Sequence, residues 1–272
     1  MFKIIVSQGR IADRKERTIE GARQTAQALE PATSSKATVI GTPAPARDDD
    51  WTDSLAQAKD TLTGLASSVS NCLTEGDIPI MVANTCSASL ASLPVAARHV
   101  PDAVLLWVDA HGDFNIPDTT GSGYLGGMVL AAACGLWDSG HGAGLNPKQV
   151  VLVGARDIDP EEHALLHQAG VRILPPEEAT PAAVRQAVGD APIWIHIDWD
   201  VMEPGYVPAD YSVPHGFLPK TLREIFEALP AEQLAGLEIA EFHAPSSPAD
   251  SKAPLEQILH IIQPLIELEA VS

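Results

Sequence analysis

The stretch AVLLWVDAHGDFN, residues 103–115, decides how the chain is read. Its first half, AVLLWV, is continuously apolar and lacks the alternation of a strand with one wet face, so it reads as a β-strand buried on both sides. Its second half turns polar, with Asp109, His111 and Asp113 at every second position. In parallel sheets covered by helices, ligands bind where the strands end, so these three side chains are placed to share one crevice.

Seven further runs of the same kind lie outward from it: FKIIVS at 2–7, ATVIGT at 37–42, IPIMVAN at 78–84, QVVLVGAR at 149–156, VRIL at 171–174, PIWIHIDWD at 192–200 and LAGLEIAEF at 234–242. Helical stretches fall between them. They include 51–75, 160–169 with Asp159 as N-cap, 181–188 after Thr180, 218–229, and 255–269 with Pro264 inside it. This alternation predicts a single α/β domain over residues 1–272: a doubly wound, eight-stranded parallel sheet with helices on both faces and right-handed crossovers. The Pro- and Asp-rich GTPAPARDDD at 41–50 reads as a surface loop, because the strand and helix grammar continues on either side.

Composition narrows the function. Among 272 residues, 17 Lys and Arg face 36 Asp and Glu, a net charge of −19, which disfavours nucleic-acid and anionic-membrane partners. No segment reaches the roughly 18 apolar residues of a membrane span. The three cysteines, Cys72, Cys86 and Cys134, share no CxxC spacing, so a disulfide framework has no support and a reducing, cytoplasmic setting is expected.

A second polar cluster, Asp198 and Asp200, ends the run PIWIHIDWD. One aspartate at a strand end commonly caps a turn. Four carboxylates gathered there repel one another unless cations compensate them, and two divalent ions bring the sum to zero. Carboxylates with one imidazole suit a hard ion such as manganese, and bridging carboxylates suit a pair about 3.5–4 Å apart that acidifies a shared water.

DAHGD at 109–113, DWD at 198–200 and Glu241 in LEIAEF resemble the signature motifs of the ureohydrolases, the binuclear manganese enzymes that include arginases and agmatinases. The resemblance spans about residues 78–245. It implies that two Mn2+ are held per chain, with Asp109 and Asp198 bridging, Asp113 on the first metal, and His111 and Asp200 on the second. It also implies that Glu241 holds the guanidinium of a small guanidino amino acid, and that a metal-bridging hydroxide attacks the guanidino carbon. Asn115 and Ser122 match positions that contact an α-carboxylate. Asp157 and Asp159 match a motif that serves an α-amino group, which favours an amino acid over a decarboxylated amine. Asp113 is the expected proton donor to the leaving nitrogen.

Two positions depart from the family pattern. Where the family has a histidine after its third strand, this chain has Cys86, which the resemblance makes a ligand of the first metal, either as a soft thiolate that holds a hard ion weakly or as a thiol beside the site without strong ligation. Where the family has His-Gly, SGYLGG supplies Gly126-Gly127, and the proton-shuttling histidine is gone. Both changes predict weak attack on ordinary arginine, and a less basic N-hydroxyguanidine relieves both. The combination is similar to the branch of the family that cleaves Nω-hydroxy-L-arginine to hydroxyurea and L-ornithine in D-cycloserine biosynthesis. An arginase or agmatinase-type hydrolase, and a degenerate metal-free binding protein, are the alternatives. Monomer and homo-oligomer both stay open.

Other motifs read more plainly. Gly121, Gly123 and Gly126 spell GxGxxG, but too far beyond the strand for a dinucleotide turn. His163 and His167 lack the glutamate of a zinc-protease motif and read as surface histidines. His196 is expected as a hydrogen-bonded core histidine, Cys72 and Cys134 as helix core, and His215 and His243 as minor candidates for proton transfer.

Overall fold

The computed structural model describes residues 1–247 and 249–266. Each apolar run becomes a strand: β1 (Phe2–Ser7), β2 (Thr38–Ile40), β3 (Ile78–Val82), β4 (Val104–Val108), β5 (Val150–Val153), β6 (Arg172–Leu174), β7 (Ile193–Asp198) and β8 (Leu234–Ala240). They form one eight-stranded sheet in the order β2-β1-β3-β8-β7-β4-β5-β6, parallel at every pairing. The helices are α1 (Thr18–Thr33), α2 (Trp51–Thr74), α3 (Ser89–His99), α4 (Val129–Ala133), α5 (Pro160–Ala169), α6 (Pro181–Val188), α7 (Pro219–Glu227) and α8 (Lys252–Ile266).

Successive strand residues feed opposite cores, which is why the runs show no polar alternation. Ile4, Leu106, Ile195 and Leu237 pack with Leu29 of α1, Val184 of α6, Phe226 of α7 and Ile262 of α8. Their neighbours Ile5, Leu105, Trp107 and Trp194 pack with Leu62 of α2, Leu93 of α3, Leu130 of α4 and Leu166 of α5. Both faces of the sheet are thereby covered, and a buried side chain of this size contributes roughly 1.5–3 kcal/mol.

Local signals set the helix starts. Asp50, at the end of the loop 41–50, accepts from the backbone N–H of Thr52 at 2.9 Å and Asp53 at 3.1 Å, capping α2. Thr180 accepts from Ala183 N at 3.2 Å and caps α6. α8 begins at Lys252, three residues before the expected start, and positions 267–269 of that expectation lie outside the described residues. Cys72 is buried in α2, whereas Cys134 only caps the short α4 and is half-buried, not helix core. Among the described residues no helix is long and apolar enough to cross a membrane.

The sheet order positions the site. β3, β8, β7 and β4 are consecutive neighbours, and all point the same way. The residues just past their carboxyl ends therefore stand side by side: Cys86 after β3, Glu241 after β8, Asp198 at the end of β7 and Asp109 after β4.

Candidate active site

Backbone amides fix the carboxylates. Asp109 accepts from His111 N at 2.7 Å and from Trp107 Nε1 at 3.0 Å. Asp198 accepts from Asp200 N at 2.8 Å, and Asp200 accepts from Ala110 N at 3.2 Å, tying the β7 end to the β4 end. Asp200 has already left the strand in the turn 199–201, so this bond, more than strand alternation, aims it. Asp109, His111 and Asp200 then bring donor atoms within 4.8 Å of one another, as do Cys86, Asp198 and Glu241, and Cys86, Asp109 and His196.

The electrostatics are those of a cation site. Burial, then the adjacent carboxylates Asp200 and Asp109, pushes Asp198 well above the ordinary carboxylate range. Burial and Asp109 do the same to Asp113. Burial raises the Cys86 thiol, and Asp198 and Glu241 raise it further. Burial works against charge on His111, but Asp109 and Asp200 more than reverse it and raise its pKa. His111 Nδ1 lies 3.0 Å from Asp200 Oδ2 and 3.3 Å from Asp109 Oδ1. Even so, Asp200 Oδ2 and Glu241 Oε2 are buried with no aligned hydrogen-bond partner. Unsatisfied oxygens converging with an imidazole fit divalent ions, hard on the Asp109–His111–Asp200 side and softer beside Cys86.

Above these groups opens a cavity of about 210 Å³. Ten of the eleven site residues expected from the sequence line it: Cys86, His111, Asp113, Asn115, Ser122, Asp157, Asp159, Asp198, Asp200 and Glu241. Asp109, the eleventh, is buried beside them and bonded to the His111 backbone. Glu241 takes a left-handed backbone (φ 65) directly after β8, and its Oε1 accepts from the backbone N–H of Cys86 at 2.9 Å.

His196 is a fully buried, hydrogen-bonded histidine, as expected, and it also abuts the site. Its ring stacks on Trp107 with centroids 3.6 Å apart, Nδ1 lies 3.0 Å from Glu238 Oε2, and Nε2 lies 3.2 Å from Cys86 Sγ. His215 is exposed and His243 pairs with Asp210 at 2.7 Å; neither lines the cavity. His163 and His167 are exposed on α5.

Four residues not singled out from the sequence belong to the site's surroundings. Tyr124, Tyr211 and Glu162 line the cavity. Arg156 donates to the carbonyls of Asp200 and Val213 at 3.1 and 2.7 Å, clamping the two loops together. Glu162 accepts from Phe114 N at 2.7 Å, and burial pushes its pKa up to about 7. Its spacing from Asp159, an acidic N-cap followed three residues later by Glu, was the available signal. Tyr124 carried no such signal.

Comparison with known proteins agrees with this architecture. The model of the family described as Arginase family matches residues 13–259. The chain is 54% identical over 270 residues to the N(omega)-hydroxy-L-arginine amidinohydrolase of Streptomyces lavendulae, covering 99% of each protein. It is 28% identical over 196 residues to the arginase of Bacillus caldovelox, covering 65% of this chain and 64% of that one. The crystal structure of Bacillus subtilis arginase has a TM-score of 0.83 at 18% identity, with 100% of both chains covered. Proclavaminate amidino hydrolase from Streptomyces clavuligerus has a TM-score of 0.74 at 16% identity, covering 97% of this chain and 90% of that one. The structural likenesses speak for the fold alone. The family match and the full-length relative go further: the chain belongs to the arginase family.

Proposed function

We propose that this protein hydrolyses Nω-hydroxy-L-arginine to hydroxyurea and L-ornithine. The observation that carries the reading is the 54% identity, over 99% of both chains, to a protein named for that reaction. The cavity of about 210 Å³ supports it, being of a size for a single amino acid rather than a peptide.

Asp109, His111, Asp113, Asp198 and Asp200, with Cys86 on the softer side, are the residues that would hold two divalent ions, and the predominance of carboxylate favours manganese. When bound, such a pair neutralises the carboxylates and acidifies a water. The chain's own residues do the rest. Glu241, fixed through Oε1 by the Cys86 amide, offers its unpartnered Oε2 to the guanidino group. Asn115 and Ser122 take the α-carboxylate, and Asp157 and Asp159 take the α-amino group, all four lining the cavity. Water oxygen bonds to the guanidino carbon, and the bond from that carbon to the alkyl-bearing nitrogen breaks. Asp113 would take the proton that the attacking water gives up and pass it to that nitrogen, which leaves as the amine of ornithine. The three free thiols support a reducing, cytoplasmic setting.

The test is steady-state hydrolysis of L-arginine and Nω-hydroxy-L-arginine by manganese-loaded protein, following ornithine. Strong preference for the hydroxylated substrate is expected. Equal rates would mean a general arginase, and no turnover with no stoichiometric metal would remove the enzyme reading.

A further inference from the structure

The loop that forms one wall of the cavity carries a tyrosine whose placement accounts for the glycine two residues later. A Cβ on Gly126 would lie 2.3 Å from Cε1 of Tyr124, so the phenol ring fills the space that any side chain at 126 would claim. The ring is held in place. The Arg14 guanidinium sits 5.0 Å from its centroid, and Arg14 is itself anchored to the carbonyls of Asp49 and Ser122 at 2.9 and 3.2 Å. At the far end of the ring, the hydroxyl donates to Glu241 Oε1 at 3.3 Å, while Oε2 of the same carboxylate is buried and unpartnered.

We infer that Tyr124 is a specificity-determining residue whose hydroxyl accepts the N-hydroxyl group of a hydroxyguanidine bound on Glu241. The inference rests on the proposed function and adds what selects the substrate. A guanidino group bonded to Glu241 Oε2 lies next to the phenol that bonds Oε1. The N-hydroxyl extends one atom beyond the guanidino nitrogen, so it reaches a group that plain guanidine cannot. A phenol that donates to a carboxylate keeps lone pairs to accept another bond. Substrate O–H to Tyr124, and Tyr124 O–H to Glu241, then form one continuous chain. A site built around a substrate hydroxyl discriminates against the analogue that lacks it, because its own polar group is left unmatched.

Tyr124→Phe tests this, since it keeps the ring over Gly126 and removes one oxygen. Two readouts are taken on metal-loaded enzyme: kcat and KM for Nω-hydroxy-L-arginine and L-arginine, and calorimetric binding of N-hydroxyguanidine against guanidine. The expected result is a loss in kcat/KM at least about tenfold larger for the hydroxylated substrate than for arginine, which shares only the Glu241 contact, and loss of the binding preference. Gly126→Ala, whose added methyl must displace the ring, is expected to erode the same preference. An undiminished preference in Tyr124→Phe overturns the inference, as does an equal loss on both substrates, which would mark Tyr124 as merely orienting Glu241. A wild-type enzyme with no preference for the hydroxylated substrate overturns instead the function on which the inference rests.

Discussion

Sγ of Cys86 lies 3.2 Å from Nε2 of His196, whose Nδ1 faces the buried carboxylate of Glu238 at 3.0 Å. All three side chains are buried, so nothing behind Cys86 can yield to a larger group. Cys86→His forces a second imidazole against the first and is expected to cost about 1–3 kcal/mol of stability. Combining it with His196→Ser makes room, so the double variant should be more stable than the two single changes sum to. Urea denaturation of the four proteins in the cycle measures the coupling.

Asp198 is buried among carboxylates, and one substitution there should act in opposite directions with and without metal. Asp198→Asn removes a buried charge and is expected to raise the melting temperature of chelator-treated protein. It should also abolish most of the stabilisation expected from manganese in the wild type, about 2.7 kcal/mol at a hundredfold excess over Kd. Thermal melts across a manganese titration report both effects.

Glu162 gives a pH signature. Burial raises its pKa to about 7 from an ordinary 4.5, so between those values the folded protein retains a proton that the unfolded chain has released. Its contribution to stability is greatest below about 4.5, falls as pH rises, and levels off above about 7. Glu162→Gln keeps an acceptor for Phe114 N and has no such titration. Relative to wild type, it should gain stability with rising pH across that window, by on the order of a few kcal/mol in denaturant midpoints at matched pH.

Gly154, at the exit of β5, has φ +96, and a Cβ there would meet Val201 Cγ2 at 2.6 Å and Phe217 Cε2 at 2.7 Å. Val201 follows Asp200 directly, so crowding at 154 displaces the turn that carries a site carboxylate. Gly154→Ala is expected to lose about 1–3 kcal/mol and to weaken manganese affinity as well. A stability loss with unchanged affinity would show that the turn 199–201 absorbs no strain.

The six inner strands were legible because they are buried on both faces and read as nearly unbroken apolar sequence, while the short, partly exposed edge strands β2 and β6 were legible from their apolar runs alone. Their spatial order was not, since two-sided burial leaves no mark of which strand lies next to which. The residues after β4 and β7 were legible because each cluster is local in sequence. Tyr124 and Glu162 were not, for they reach the cavity from a loop and from the first turn of α5, and what makes them part of it is proximity across the fold. His196 shows the intermediate case: its buried state followed from the strand, but its contact with Cys86 depends on β3 and β7 flanking β8.

That β8 is the latest of the eight strands in sequence yet lies between β3 and β7 has a consequence for synthesis. Until residues 234–240 emerge, the nascent sheet is two separate ribbons, β2-β1-β3 and β7-β4-β5-β6, with facing unpaired edges. Cys86 belongs to one ribbon and Asp109, His111, Asp198 and Asp200 to the other. A chain interrupted before this strand cannot bring the candidate site residues of the two ribbons together, and it lacks Glu241. Insertion of the final strand is thus the step that couples completion of the polypeptide to assembly of its candidate metal site.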